Sequence, residues 1–120
     1  MTSLSKAEWL HTLESRHPSA IDMGLERVGQ VADRLRARHF DAPVITVAGT
    51  NGKGSTVATI VAVGRAAGWR VAHYTSPHLL DFNERIGING TLISDTELVS
   101  ALDAVEAVRA EVSLTYFEHT

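Results

Sequence analysis

Val44-Ile45-Thr46-Val47-Ala48-Gly49-Thr50-Asn51-Gly52-Lys53-Gly54-Ser55-Thr56 is the stretch whose reading decides the fold. Its opening β-branched residues have the composition of a buried strand. The run then empties into three glycines, a lysine and two hydroxyls ahead of a helix-like segment. Glycine lets backbone N–H groups turn toward an anion without interference from a Cβ. A helix N-terminus adds unpaired donors and partial positive charge, and lysine adds a full charge. The combination points to a polyphosphate site. The spacing departs from the general phosphate loop, in which four residues separate the first glycine from Gly-Lys. Counting back from Gly52-Lys53 reaches Val47, and Gly54 intervenes before the first hydroxyl, Ser55.

Downstream, the pattern predicts a helix over residues 55–67, with Val57, Ile60, Val61 and Val63 as core candidates and Gly68 as its stop. A second strand is expected over 70–75. Strand, helix and strand in this order predict a βαβ unit with parallel strands and a right-handed crossover. Ligands of such sheets lie beyond the carboxyl ends of the strands, where the glycine loop and Thr75-Ser76-Pro77-His78 would face one ligand. Residues 76–85 show no period and read as an ordered surface loop. Ile86 to Ile93 reads as a small hairpin turning at Asn89-Gly90.

Upstream, Ser5-Lys6-Ala7-Glu8 has the form of a capping box, with Leu4 and Trp9 as its hydrophobic staple. The helix it opens, carrying Trp9, Leu10 and Leu13, should end by Arg16, because Pro18 disfavours helical geometry at His17. A second helix carries Leu25, Val28, Val31, Ala32 and Leu35 at three- and four-residue steps. Arg27, Arg34, Arg36 and Arg38 fall mainly on its other side and read as a solvated face, and Asp22 reads as an ordinary helix cap. Ser94-Asp95-Thr96-Glu97 is another capping box, opening a helix with Leu98, Val99, Leu102, Val105 and Val108 to about Ala110. Leu114 to Thr120 begins a new apolar segment in which the sequence stops, so the chain is expected to be the front part of something longer.

The totals set limits. With 120 residues the chain is at most one domain with a modest core. A net charge of −3 supplies no basic field for nucleic acid or anionic lipid, so neither partner is expected. The absence of cysteine excludes disulfides and thiolate metal sites. No apolar run approaches the ~20 residues of a membrane span, and no basic segment precedes an apolar core at the N-terminus. A cytoplasmic location is expected. His73 and His78 lie nearest the loop, but their spacing is not that of a zinc site, and they read as structural or surface residues.

Several segments in order resemble the folylpolyglutamate synthase/dihydrofolate synthase family of the Mur ligase superfamily. They are Ile21-Asp22-Met23-Gly24-Leu25-Glu26-Arg27-Val28, the loop from Val47 to Thr56, Tyr74-Thr75-Ser76-Pro77-His78-Leu79, Phe82-Asn83-Glu84-Arg85-Ile86 and Leu114-Thr115-Tyr116-Phe117-Glu118. The folate branch carries a Gly-Thr-Asn-Gly-Lys-Gly-Ser/Thr loop. The serine-proline and Asn-Glu-Arg-Ile segments speak against a ligase of peptidoglycan precursors.

The resemblance implies an α/β fold: residues 1–120 would be the N-terminal part of a P-loop-containing, Mur-ligase-type ATPase domain, without the C-terminal ligase domain. The implied activity is ATP-dependent addition of L-glutamate to dihydropteroate or a folate, through an acyl phosphate. The small-molecule partners would be those substrates and ATP, the cofactors ATP and Mg2+, and the full-length protein a monomer. Gly49, Thr50, Asn51, Gly52, Lys53, Gly54, Ser55 and Thr56 would hold ATP, with Lys53 on the β- and γ-phosphates as the catalytic cation. The general phosphate loop would nominate Ser55 as metal ligand, whereas the family resemblance implies Ser76 and Glu118. Asp22, Met23 and Gly24 would hold the pteridine, with methionine in place of the family's leucine. A stretch at Ser94 to Glu97 is also implicated, though its capping box is an adequate structural explanation. Asn83, Glu84 and Arg85 would shape the neighbouring loop. The rival from another class is a non-catalytic nucleotide-binding module that keeps the loop without the chemistry.

Overall fold

A computed structural model describes residues 3–16 and 22–120. In chain order its elements are α1 (Lys6–Arg16), α2 (Glu26–Arg34), α3 (Lys53–Ala66), β1 (Ala72–Tyr74), a 3-10 turn (Phe82–Arg85), β2 (Ile86–Ile88), β3 (Thr91–Leu92), α4 (Asp95–Arg109) and α5 (Tyr116–His119). They divide into two compact units, one of Met1–Pro43 with Thr96–Thr120, the other of Val44–Asp95.

The first unit is helical. The Ser5 capping box forms as expected: Ser5 N–H donates to Glu8 Oε2 at 2.8 Å, and Glu8 N–H donates back to Ser5 Oγ at 3.3 Å. Trp9 and Leu13, four apart on α1, turn inward and are buried. Trp9 donates its indole N–H to Asp103 at 2.9 Å, and its ring lies 5.5 Å from that of His119 on α5. Val31 of α2 packs with Val112 and Leu114, with Val105 and Val108 of α4 at the margin. Arg34 donates to the carbonyls of Val108 and Arg109 at 2.9 and 2.8 Å, supplying donors that the last turn of α4 otherwise lacks.

Three expectations for this unit need correction. Arg27 and Arg34 do not belong to a solvated face, since both are committed to partners from the C-terminal segment. Leu25 is 79% exposed rather than core. Asp22 is not the cap of α2, which begins four residues later, after Leu25 and without a side-chain cap. Pro18, His17 and Ile21 lie outside the described residues.

Two groups make this unit sensitive to acid. Hydrogen bonds from Arg109, helped by Arg16, hold the Glu106 carboxyl down at about 2 against the opposing effect of its burial. Burial lowers the pKa of His119, whose Nε2 lies 3.3 Å from the Leu102 carbonyl. In both cases the unfolded chain binds more protons, so stability falls as pH falls. The His119 contribution is present above its ordinary 6.5 and declines below it. The Glu106 contribution is present above 4.5 and is lost toward about 2. Urea midpoints measured down a pH series should show both steps. Glu106→Gln should cost about 1 kcal/mol at neutral pH, after allowance for solvent screening, and flatten the lower step.

The second unit holds α3 and a three-stranded sheet in the order β1-β2-β3. The hairpin turns where the sequence places it. Asn89 and Gly90 take φ of 52° and 84°, both positive as a type I′ turn requires, and Ile88 pairs with Thr91. Helix α3 stops as expected, with Gly68 at φ 82° donating to the Arg65 carbonyl at 3.0 Å. It starts at Lys53, two residues before the expected Ser55.

The parallel βαβ expectation is not met. Residues 44–48 form no strand, and β1 pairs antiparallel with β2, Ala72 facing Ile88 and Tyr74 facing Ile86. A parallel strand buried on both faces needs ladder partners and cover. Val44 and Ile45 have neither here and are each 65% exposed. The expected strand at 70–75 is correspondingly shorter, three residues long. Among the described residues, no helix is long and apolar enough to cross a membrane.

Candidate functional site

The glycine loop belongs to the second unit, at the start of α3. Gly52 is the N-cap residue at φ 76°, a left-handed conformation that costs an L side chain roughly 1–2 kcal/mol. Its carbonyl accepts the first helical bond from Thr56 N–H at 3.0 Å, and also the Thr56 hydroxyl at 2.8 Å. The amides of Lys53, Gly54 and Ser55 therefore lie ahead of the ladder, where helix geometry supplies no acceptor. A Cβ added at Gly52 or Gly54 would meet no protein atom within 4 Å. Packing against the protein therefore does not require either glycine, whereas an anion seated on these amides would need that open space.

Lys53 is exposed and donates to the carbonyls of Gly49 and Thr50 within its own loop. This bends the ammonium back over the turn beside those amides. The residues from Gly49 to Ser55 thus set an ammonium and the unpaired amides of a helix start side by side, facing solvent. Gly52→Ala should lower affinity for a nucleoside triphosphate on the order of tenfold, because it strains the turn and places a methyl in the open space beside the amides. Titration with a fluorescent nucleotide would measure the change.

Ser76 lies in the same unit and is exposed, on a cis Ser76–Pro77 peptide. The expected meeting of this segment with the glycine loop rested on a parallel sheet that the described residues do not form. The adjoining loop is held by Glu84, which accepts the amides of Leu79, Leu80 and Asp81 at 2.7–2.9 Å. Those amides hold its carboxyl below the ordinary range. Asp81 and Glu84 form a capping box around the 3-10 turn. The Asp-x-x-Glu spacing was the available signal for it. Arg85 is buried, donates to His78 Nδ1 at 2.9 Å and lies 4.8 Å over the Phe82 ring. Asn83 ties the turn to the hairpin and to the start of α4, donating to Ile93 O and Asp95 Oδ1 at 2.8 Å each. A structural role for Asn83, Glu84 and Arg85 follows from these bonds. Ser94 immediately precedes α4, which begins at Asp95.

A separate cleft of about 440 Å³ lies within the helical unit, lined by Asp22, Met23, Gly24, Leu25, Val28, Thr115, Phe117 and Glu118. It unites the Asp22-Met23-Gly24 segment with Glu118, two features that the sequence left apart. Its walls are mainly apolar, and Met23, Leu25 and Phe117 are 85%, 79% and 63% exposed. Gly24 takes φ 118°, where a side chain would strain the wall. The dimensions and composition suit a flat, largely apolar ring system with a few polar edge groups.

Glu118 is tightly engaged. Its Oε1 accepts from Arg27 at 2.8 Å and its Oε2 accepts the Thr115 N–H at 2.9 Å. A guanidinium on one oxygen and an amide on the other take up part of this carboxylate's acceptor capacity. Among the described residues, no group of three histidine, aspartate or glutamate side chains could hold a metal ion. The exposed hydroxyls of Ser55 and Ser76 remain suited to a hard cation that brings phosphate oxygens and water with it.

No protein-family model matches the chain. It is 43% identical over 113 residues to the dihydrofolate synthase/folylpolyglutamate synthase of Escherichia coli K12, covering 94% of this chain and 27% of that protein. The structure of E. coli FolC in complex with DHPP and ADP matches with a TM-score of 0.92 at 42% identity, over 98% of this chain and 28% of that one. The bifunctional folylpolyglutamate synthase/dihydrofolate synthase of Yersinia pestis, complexed with AMPPNP and Mn, matches at 0.90 and 49% identity, again over 98% and 28%. The chain thus spans about a quarter of the length of the relatives it matches. On sequence and α/β fold alike, it belongs to the dihydrofolate synthase/folylpolyglutamate synthase family and corresponds to the N-terminal part of its members.

Proposed function

We propose that this chain supplies the phosphate grip and the pteridine cleft of an ATP-dependent amide ligase that adds L-glutamate to dihydropteroate or to a folate. The observation that carries the reading is the turn at Gly52-Lys53, with its left-handed glycine, amides ahead of the helical ladder and a lysine folded over them. The ligands named with the E. coli and Y. pestis relatives support it. In this reading the loop belongs to a P-loop ATPase unit.

Transfer of the γ-phosphoryl group to a carboxylate creates little work for a covalent catalyst. Most of the demand is for charge neutralisation and in-line placement. Lys53 exchanges its loop carbonyls for the β- and γ-phosphate oxygens, and the amides of Asn51, Gly52, Gly54 and Ser55 wrap the phosphate chain. Gly49 and Thr50 carry the turn, and Thr56 locks the start of α3 through its bond to Gly52. The acceptor carboxylate attacks the γ-phosphorus, and ADP departs. The amine of glutamate then attacks the acyl carbonyl, loses a proton and displaces phosphate. Mg2+ arriving with the nucleotide supplies further charge neutralisation, and the Ser76 hydroxyl would hold it.

Asp22, Met23 and Gly24 form one wall of the cleft for the pteridine. Asp22, at the edge of that wall, suits an N–H donor of such a ring. The 120 residues alone are expected not to make the amide bond, because they span only about a quarter of their relatives. Purified chain incubated with ATP, dihydropteroate and glutamate tests this: glutamate-dependent phosphate release would overturn it. Saturable binding of ATP and of dihydropteroate to the same chain would support the two-site reading, and loss of both would sink it.

A further inference from the structure

We propose that Arg27 is a positioning residue for the cleft, a latch that fixes the Asp22-Met23-Gly24 wall against α5 through Glu118, and that Glu118 serves this latch rather than a metal ion. The inference rests on reading the cleft as the pteridine site. Arg27 reaches Asp22 Oδ2 at 3.1 Å, the Asp22 carbonyl at 3.1 Å and Glu118 Oε1 at 2.8 Å. One planar guanidinium thus ties the side chain and backbone of one wall to the other wall, a geometry that a lysine ammonium cannot reproduce. Glu118 completes the tie by receiving the Thr115 amide on its second oxygen, while the Thr115 hydroxyl accepts the Glu118 amide at 3.2 Å. Asp22, Thr115 and Glu118 all line the cleft, whereas Arg27 is not one of its lining residues.

This wall needs an external restraint. The segment Asp22 to Leu25 lies outside regular structure, Gly24 has a left-handed φ, and α2 lacks a side-chain cap at its start. Its exposed Met23 and Leu25 receive little hold from packing. Arg27 supplies polar bonds across that gap and offsets one of the two carboxylate charges at the cleft edge. The remaining edge favours a neutral ring bearing N–H donors over an anionic one.

The test measures two affinities on the whole chain, for dihydropteroate and for AMPPNP with Mn2+, in Arg27→Lys, Arg27→Met and Glu118→Gln. In Glu118→Gln the side-chain amide has a single oxygen, which can face Arg27 or the Thr115 N–H but not both. All three variants are expected to weaken dihydropteroate on the order of 10- to 100-fold and to leave the nucleotide affinity unchanged. A merely structural role would lower both affinities or neither. Full retention by Arg27→Lys would overturn the bridging role. Loss of the Mn2+ nucleotide in Glu118→Gln, with dihydropteroate affinity intact, would return Glu118 to the metal. Should the unaltered chain bind no dihydropteroate, the reading of the cleft falls. The latch is then decided by amide hydrogen exchange at residues 22–25: faster exchange in Arg27→Lys upholds it, and equal exchange overturns it.

Discussion

Lys53→Ala in a full-length ligase carrying this segment is expected to slow ATP-dependent glutamate addition by at least roughly 10²–10³-fold, the usual consequence of removing a preorganised group from developing charge. The thermal midpoint should barely move. Lys53 is exposed, and its bonds are to two carbonyls of its own loop. An exposed contact of this kind contributes little to stability. Lys53→Arg separates charge from geometry: the longer planar group retains the charge but cannot fold back over the same turn, so activity should remain low. Near-normal turnover in Lys53→Ala, measured as ADP release coupled to amide formation, would remove the residue from the mechanism.

The largest effect on stability is expected from Trp9→Ala. Trp9 is 3% exposed, packs its ring near His119, donates to Asp103 and carries the Arg16 guanidinium 5.7 Å from its ring. Truncation of a buried aromatic costs about 3–5 kcal/mol, from lost burial and an incompletely closed cavity. Against a typical total of about 5–15 kcal/mol, that leaves the helical unit close to unfolding. Trp9→Phe keeps most of the volume but strands Asp103 without the indole donor, and should cost less than half as much. Urea unfolding followed by far-UV circular dichroism distinguishes the two. Equal midpoints for Ala and Phe would mean that the hydrogen bond, not the packing, carries the stability.

The helices were legible because their signals are local. Ser5 to Glu8 sets the start of α1 within four residues, and Asn89-Gly90 specifies positive φ for two consecutive positions. Leu98 and Leu102, four apart, are buried together, as their spacing implies. The strand expected at 44–48 fails for a physical reason: β-branched composition records what a segment can bury, and burial needs layers on both faces, which these residues do not find within the chain. Pairing direction is equally non-local. Residues 72–74 carry no mark saying that residues 86–88, and not 44–48, lie beside them.

The candidate site divides in the same way. Gly52, Lys53 and Gly54 are contiguous, so backbone chemistry alone nominates them for an anion. Arg27 reads in sequence as one solvated arginine among four, because its partner Glu118 stands ninety-one residues away along the chain. No periodicity in α2 could distinguish it from Arg36, which is exposed. Glu118 itself was legible as a functional candidate through resemblance, but its capping bond to Thr115 only through the short Thr-x-x-Glu spacing.

The discontinuity of the helical unit has a consequence for the timing of synthesis. Its first helices leave the ribosome before the inserted Val44–Asp95 unit, yet they are completed only by residues that follow it. Ser3 and Trp9 wait for Asp103, and Arg16 waits for Glu106, across sequence separations of 100, 94 and 90 residues. Closing such long loops slows folding. At roughly 5–20 residues per second, the nascent α1 carries Trp9 and Leu13 uncovered for several seconds. The unit that carries the glycine loop, contiguous in sequence, can form meanwhile. The glycine loop is therefore the earlier product of translation, and the cleft of the helical unit is the later one.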